Sequence, residues 1–355
     1  MPQLLSARDE PDLQAALPAA VQALAGGRLV AFPTETVYGL GARADDAAAV
    51  AGIFTAKGRP SDHPLIVHVA DAAGAEAFAA DLPPVARRLM AAFWPGPLTV
   101  IVPRRPDMAA AAAGGQPTVG LRCPDHPVAQ ALLRAAAAAG VPGVAAPSAN
   151  RFGQVSPTRA EHVMSEFPAL PDLLVLDGGP CAVGIESAIV DCSRGRPVLL
   201  RPGGLAAAAI AAAAGEPLGE RGDDAPRASG TLEAHYAPRA KLRLMDTKAL
   251  RAGLQVLLPS LQGSASAASA GPALAVYCHD ELPDNLQRSL AAPALRGRVR
   301  LRRMPADAAA AAQELFAALR EFDDGGVPLI WVEAPPADPA WDGVRDRLQR
   351  AAAAA

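Results

Sequence analysis

Lysine is almost missing from this chain. Only Lys57, Lys241 and Lys248 occur, beside thirty arginines, so a lysine at 57 stands out against the bias. Aromatic residues make up 4% and the hydrophobic set 51%, which leaves a core to be built mainly from Ala, Val and Leu. The four cysteines, Cys123, Cys181, Cys192 and Cys278, form no CxxC pair. That spacing supports neither a zinc site nor a disulfide framework, and reduced thiols of a cytoplasmic protein are the expectation. The start, MPQLLSARDEPD, is acidic early and lacks the apolar centre of a secretory signal. The longest apolar run, Leu205 to Ala214, is far short of the roughly 20 residues a membrane span needs, so no membrane partner is expected. A formal charge of −3 argues against a chain held on nucleic acid by bulk electrostatics. There is no Walker-A loop, no HExxH, no GxSxG, and no Cys-His or Ser-His-Asp trio by spacing. No protein nucleophile is therefore indicated.

What is present is concentrated between Val30 and Val69. Leu29 to Phe32 reads as a buried strand that Pro33 stops, because proline cannot continue a ladder. Asp45 or Asp46 can cap a helix with Val50, Ile53 and Phe54 on one face, and Gly58 with Pro60 ends it. Lys57 and Arg59 then stand together at its carboxyl end. Leu65 to Val69 alternates, placing Ile66 and His68 on one face and Leu65, Val67 and Val69 on the other. One β-turn-α-loop-β unit thus gathers Thr34, Thr36, Tyr38, Lys57, Arg59, His63 and His68.

At 355 residues the chain suits two domains. Leu13 to Leu24 and Pro84 to Phe93 read as helices, and Leu98 to Val102 as a strand behind the WPGPLT turn, to which no chemistry is assigned. Thr118 to Arg122 is a strand that delivers Arg122, a planar fork suited to a carboxylate. A helix at Val128 to Ala139 and a strand at Val141 to Ala146 lead to Pro147-Ser148-Ala149-Asn150, a turn whose small polar groups can face a phosphate. Ser156-Pro157-Thr158 before Glu161 has the form of a helix cap. Val183 to Cys192 reads as a strand with Ser187 on the face of Ile185 and Ile189, and Val198 to Leu200 ends in Arg201.

From Gly215 to Arg239 the composition turns to charge, Pro, Gly and Ser, the mark of a linker, and inside it lies SGTLEAHYAP with His235 and Tyr236. Beyond it strands at Lys241 to Met245, Ala273 to Tyr277, Val299 to Arg302 and Val327 to Val332 alternate with helices, Ala306 to Phe322 the clearest and Trp341 to Arg350 the last. That rhythm predicts a small parallel, Rossmann-like α/β domain, and no GxGxxG supports a dinucleotide in it. Pro259 to Pro272 reads as a mobile Ser/Ala/Gly loop. The expected division is 1–206, a linker or lid over 207–240, and 241–355.

PTETVYGLG at 33–41, Lys57-Gly58-Arg59-Pro60, Pro64-Leu65-Ile66-Val67-His68, the SPT run and HYAP together resemble the YrdC/YwlC family, the threonylcarbamoyl-AMP synthases, in their long two-domain form. The family carries Thr where this chain has Ala188, and many relatives carry Asn where it has His63. The resemblance implies an α/β fold with a twisted mixed sheet followed by the Rossmann-like domain. It implies condensation of L-threonine, bicarbonate and ATP to threonylcarbamoyl-AMP with pyrophosphate release, Mg2+ accompanying ATP, the first step of tRNA threonylcarbamoyladenosine formation. Lys57 and Arg59 would be catalytic. Thr36, His68, Arg122 and Ser187 would hold threonine. Lys57, Arg59, His63, Thr118, Ser148, Asn150, Ser156, Arg201 and His235 would hold ATP, and HYAP would fold as a lid. Threonylcarbamoyl-transfer proteins would act downstream, and a weak tRNA contact is compatible. Two other readings use the same residues: an RNA-binding or ribosome-maturation module, which the acidic balance and sparse aromatics count against, and a carbamoyl-adenylate enzyme of the hydrogenase-maturation type, whose acylphosphatase and zinc-finger segments are missing here.

Overall fold

Apolar runs punctuated by proline and glycine become strands throughout the computed structural model, which describes residues 1–263 and 271–354. In chain order these are β1 Gln3–Ser6, β2 Val30–Phe32, β3 Gly39–Arg43, β4 Ile66–His68, β5 Leu98–Pro103, β6 Thr118–Arg122, β7 Val144–Ala145, β8 Leu174–Asp177, β9 Ala188–Asp191, β10 Val198–Arg201, β11 Lys241–Met245, β12 Leu274–Cys278, β13 Val299–Arg303 and β14 Leu329–Glu333. The chain divides into two units. One comprises Met1–Phe152 and Ser156–Thr231, the other Gly153–Val155 and Leu232–Ala355.

The first unit is built on a mixed sheet in the order β1-β8-β2-β3-β7-β4-β6-β5-β9-β10. Its cores carry few rings: Val50, Ile53, Leu65, Val67, Leu89, Leu98 and Val100 pack one side with Ala31, Ala42 and Ala86. Leu13, Leu17, Leu24, Leu132 and Leu133 from the helices Glu10–Ala25 and Pro127–Ala138 pack another. The second unit has a four-stranded parallel sheet, β11-β14-β12-β13, with Leu250, Leu254, Leu274 and Val276 in its core. Parallel pairing with helical crossovers is the expected Rossmann-like outline. All four cysteines are free and buried.

The helix Ala47–Lys57 forms as its sequence requires. Asp46 caps it by accepting from the N–H groups of Ala48 and Ala49, and Gly58 closes it at φ +62°, a left-handed conformation that glycine adopts without strain. Five local expectations fail in whole or in part. Residues 183–187 are not strand, because Gly184 turns the chain at φ +82° and the Val183 N–H donates to Glu35 C=O at 2.7 Å instead of to a neighbouring strand. Only Val144 and Ala145 of the 141–146 run pair in the sheet. The SPT run does not cap the helix Ala160–Glu166, which begins after Arg159 without a side-chain cap, and Ser156 is engaged elsewhere. Residues 207–214 are helix, not linker, and Arg88 ties that helix down by donating from Nε to Ala214 C=O at 2.8 Å. Of the loop expected over 259–272, residues 259–263 complete the helix Thr247–Gly263, and 264–270 lie outside the described residues.

Candidate active site

Sheet register assembles the site's floor. His68 on β4 pairs with Arg122 on β6, and Arg122 pairs with Thr99 on β5. Thr99 pairs with Ile189 on β9, and Ile189 with Arg201 on β10. Residues level with one another in register project to one face, so a row of imidazole, guanidinium, hydroxyl and guanidinium, with Ile189 between the last two, crosses five strands from β4 to β10. Ile66, Ile101, Ile189, Val198 and Leu200 form the apolar patch beside it. His68, Arg122, Thr99 and Arg201 are all buried.

Loops at the strand ends supply the rest. Thr36 and Thr34 share a hydrogen bond of 2.8 Å between hydroxyls, and Thr34 also donates to Val37 C=O, so both threonines hold the β2–β3 turn. Lys57, at the end of its helix, donates from Nζ to Ser148 C=O at 2.6 Å and to Asn150 C=O. Burial, and then the neighbouring Arg59, pushes the Lys57 amine well below the usual lysine range. Arg59 donates to Pro64 C=O at 2.9 Å and sits over the Phe152 ring at 5.7 Å. His63 packs on the same ring, 5.4 Å between centroids, and its imidazole is shifted down by burial and Arg59. His68 is pushed down to about 3 by burial and, second, by Arg122, so it is a neutral imidazole at working pH. Ser187 reaches Thr99 Oγ1 at 2.8 Å, and Arg201 grips the Ser187 C=O from Nε at 3.1 Å and Nη2 at 2.9 Å.

The structure thus brings Lys57, Arg59, His63, Ser148 and Asn150 into one cluster and His68, Arg122, Ser187 and Arg201 onto one sheet face. Thr118 opens β6 and lines a narrow cleft with Pro64, Ile66, Ile101 and Ile189. Ser229 covers this cleft, accepting from Arg201 through its C=O at 2.8 Å and standing 3.5 Å from Arg59 through its hydroxyl. Its free volume is about 20 Å³, room for roughly one water. Ser156 donates to Glu186 at 2.5 Å. His235 belongs to the other unit, where its ring packs on Tyr236 at 4.2 Å and its N–H donates to Arg350 C=O.

Three residues were missed. Thr99 lies in the WPGPLT run, which supplies a polar group as well as a turn. Glu35 accepts from Arg122 at 2.6 Å, an ion pair with both side chains buried, so Arg122 is not a free fork awaiting its ligand. Glu186 faces Ser156. A carboxylate between two threonines, as in Thr34-Glu35-Thr36, was the available signal for Glu35.

A sheet face lined by guanidinium, imidazole and hydroxyl groups is suited to holding anionic groups, and the surrounding architecture is that of an α/β protein. Comparison with known proteins agrees. Residues 22–203 match the Sua5/YciO/YrdC family, described as "Telomere recombination", and residues 204–353 match "Threonylcarbamoyl-AMP synthase, C-terminal domain". The chain is 39% identical over 329 residues to the threonylcarbamoyl-AMP synthase of Bacillus subtilis, covering 91% of this chain and 89% of that one. It is 42% identical over 225 residues to that of Pyrococcus abyssi, covering 62% and 65%. The crystal structure of P. abyssi Sua5 complexed with L-threonine superimposes with a TM-score of 0.82 at 32% identity, covering 100% of this chain and 98% of that one. The chain belongs to the threonylcarbamoyl-AMP synthase family in its two-domain Sua5 form, and is an enzyme of the nucleotidyltransferase type.

Proposed function

We propose that the first unit condenses L-threonine, bicarbonate and ATP to threonylcarbamoyl-AMP, releasing pyrophosphate and feeding tRNA threonylcarbamoyladenosine formation. The observation that carries this reading is the row His68, Arg122, Thr99 and Arg201 beside the Lys57–Arg59 cluster. It offers charge and hydroxyls and no attacking group. The threonine nitrogen forms the bond to the bicarbonate carbon, losing a proton as water leaves. The resulting carbamate oxygen attacks the α-phosphorus, and the bond to pyrophosphate breaks. Catalysis then consists of orientation and of offsetting the charge that develops on phosphate oxygens.

Lys57, Arg59 and Arg201 are assigned to the phosphates and Arg122 to the threonine carboxylate. Thr36, neutral His68 and Ser187 take the remainder of threonine, while Thr118, Ser148, Asn150, Ser156 and His63 take the nucleotide. Among the described residues no group of three or more His, Cys, Asp and Glu could hold a metal, so Mg2+ is assigned to the MgATP substrate and no step is routed through it. On this reading the strip around Ser229, which lies over Arg59 and Arg201, exchanges its bonds to them for phosphate oxygens when the nucleotide binds. No described helix is long and apolar enough to cross a membrane. The acceptors of the product are threonylcarbamoyl-transfer proteins acting on tRNA.

Pyrophosphate release by purified protein, with L-threonine and bicarbonate omitted in turn, tests the reading. Release requiring both is the expected outcome. ATP binding with no threonine-dependent release would sink it and favour an RNA-binding module.

A further inference from the structure

Arg122 ends a strand and would, with five N–H donors on a flexible stem, have several orientations open to it. One carboxylate removes that freedom. Glu35 Oε1 accepts from Arg122 Nη2 at 2.6 Å while Oε2 accepts from the Asp125 backbone N–H at 3.0 Å. The same residue's own C=O accepts from the Val183 N–H at 2.7 Å. Glu35 therefore joins the β2–β3 turn, the end of β6 and the loop that leads to Ser187. The side chains of Glu35 and Arg122 are 7% and 4% exposed, so water competes for little of this geometry. Arg122 Nε, also buried, has no hydrogen-bond partner among the described residues. A buried guanidinium with one edge clamped and another donor unmet is prepared for one further acceptor in a fixed direction.

We propose that Glu35 is a positioning residue for the reaction: it sets the plane of Arg122 so that its remaining donor meets the carboxylate of the amino-acid substrate. This deepens the proposed function and rests on it. Glu35 does not touch substrate. Two donors converge on its two oxygens, so Glu35→Gln, nearly the same in shape, turns an amide N–H toward one of them and breaks the clamp while filling the space.

The test is steady-state pyrophosphate release by the full chain, comparing wild type, Glu35→Gln, Arg122→Lys and the double variant. Glu35→Gln is expected to raise KM for threonine about 10- to 100-fold, the span of one charge-assisted hydrogen bond. KM for ATP should stay within about twofold on this selective account. In the Arg122→Lys background the same change should have almost no further effect, since the two residues act as a unit. A threonine KM left unchanged, or losses that hit both substrates alike and multiply with those of Arg122→Lys, would overturn the assignment and leave Glu35 a packing residue. If wild type shows no threonine-dependent release, it is the proposed function that fails. Should Glu35→Gln not fold, Glu35→Asp keeps the charge, shortens the reach so that both donors cannot be met, and is read by the same criteria.

Discussion

His68 shows how a single side chain can set a pH dependence. Buried beside Arg122, it resists protonation down to about pH 3, whereas in the unfolded chain it takes a proton near 6.5. Its folded value lies below its unfolded one, so it leaves stability untouched above about pH 7. As pH falls from 6.5 toward 3 the unfolded chain gains a proton the folded one refuses, and stability drops by up to about 1.4 kcal/mol per pH unit. His68→Gln should remove that part of the slope. Urea unfolding of both proteins at pH 7.5, 6 and 5 measures it, and parallel losses in the two would contradict the account. Lys57 is shifted in the same sense, down, by burial and Arg59. An arriving phosphate would favour its ammonium, which is why Lys57→Met is expected to lower kcat/KM for ATP by about a hundredfold, a charge-stabilising contact being worth that much.

Elements fix where those side chains stand. Gly203 follows β10 so closely against the neighbouring chain that a Cβ there would lie 2.3 Å from the Ala188 backbone nitrogen. Gly203→Ala must push β9 and β10 apart, and with them Ser187 and Arg201. We expect a loss of about 2–3 kcal/mol in stability, read from the urea midpoint, together with reduced pyrophosphate release. Element boundaries were readable wherever the signal was local. Pro84–Phe93, Thr118–Arg122 and Lys241–Met245 come out as their apolar periods and flanking Pro, Gly or charge imply. The 183–187 stretch looked like strand because its aliphatics alternate. Gly184 and the distant Glu35 carbonyl decide otherwise, and no window of neighbouring residues contains that partner. The site divides in the same way. Lys57, Arg59, His68, Arg122 and Arg201 announce themselves as polar groups at element ends, but the Glu35–Arg122 pair spans 87 residues and the Thr99–Ser187 pair 88. Such couplings exist only once the sheet has brought β5, β6 and the β2–β3 turn together.

For the whole molecule, the chain divides into two units, and residues 153–155 belong to the second although the residues on either side of them belong to the first. There Ala237 donates to Gly153 C=O at 2.8 Å, Arg320 donates to Val155 C=O, and Tyr236 lies between Phe316 at 5.6 Å and Arg347 at 5.2 Å. The linker was expected as one tether over 207–240. The chain instead passes between units at Thr231, because the Ala-rich 207–214 run has an apolar face to bury on the helix Pro84–Phe93 and Leu232 onward follows Tyr236. The sulfur atoms offer a way to time each part separately. Cys123, Cys181 and Cys192 lie in the first unit and Cys278 in the second, all at or below 1% exposure. A thiol-reactive dye added in native buffer has nothing to label until a unit opens, so the progress curve becomes a clock with an amplitude of three for one unit and one for the other.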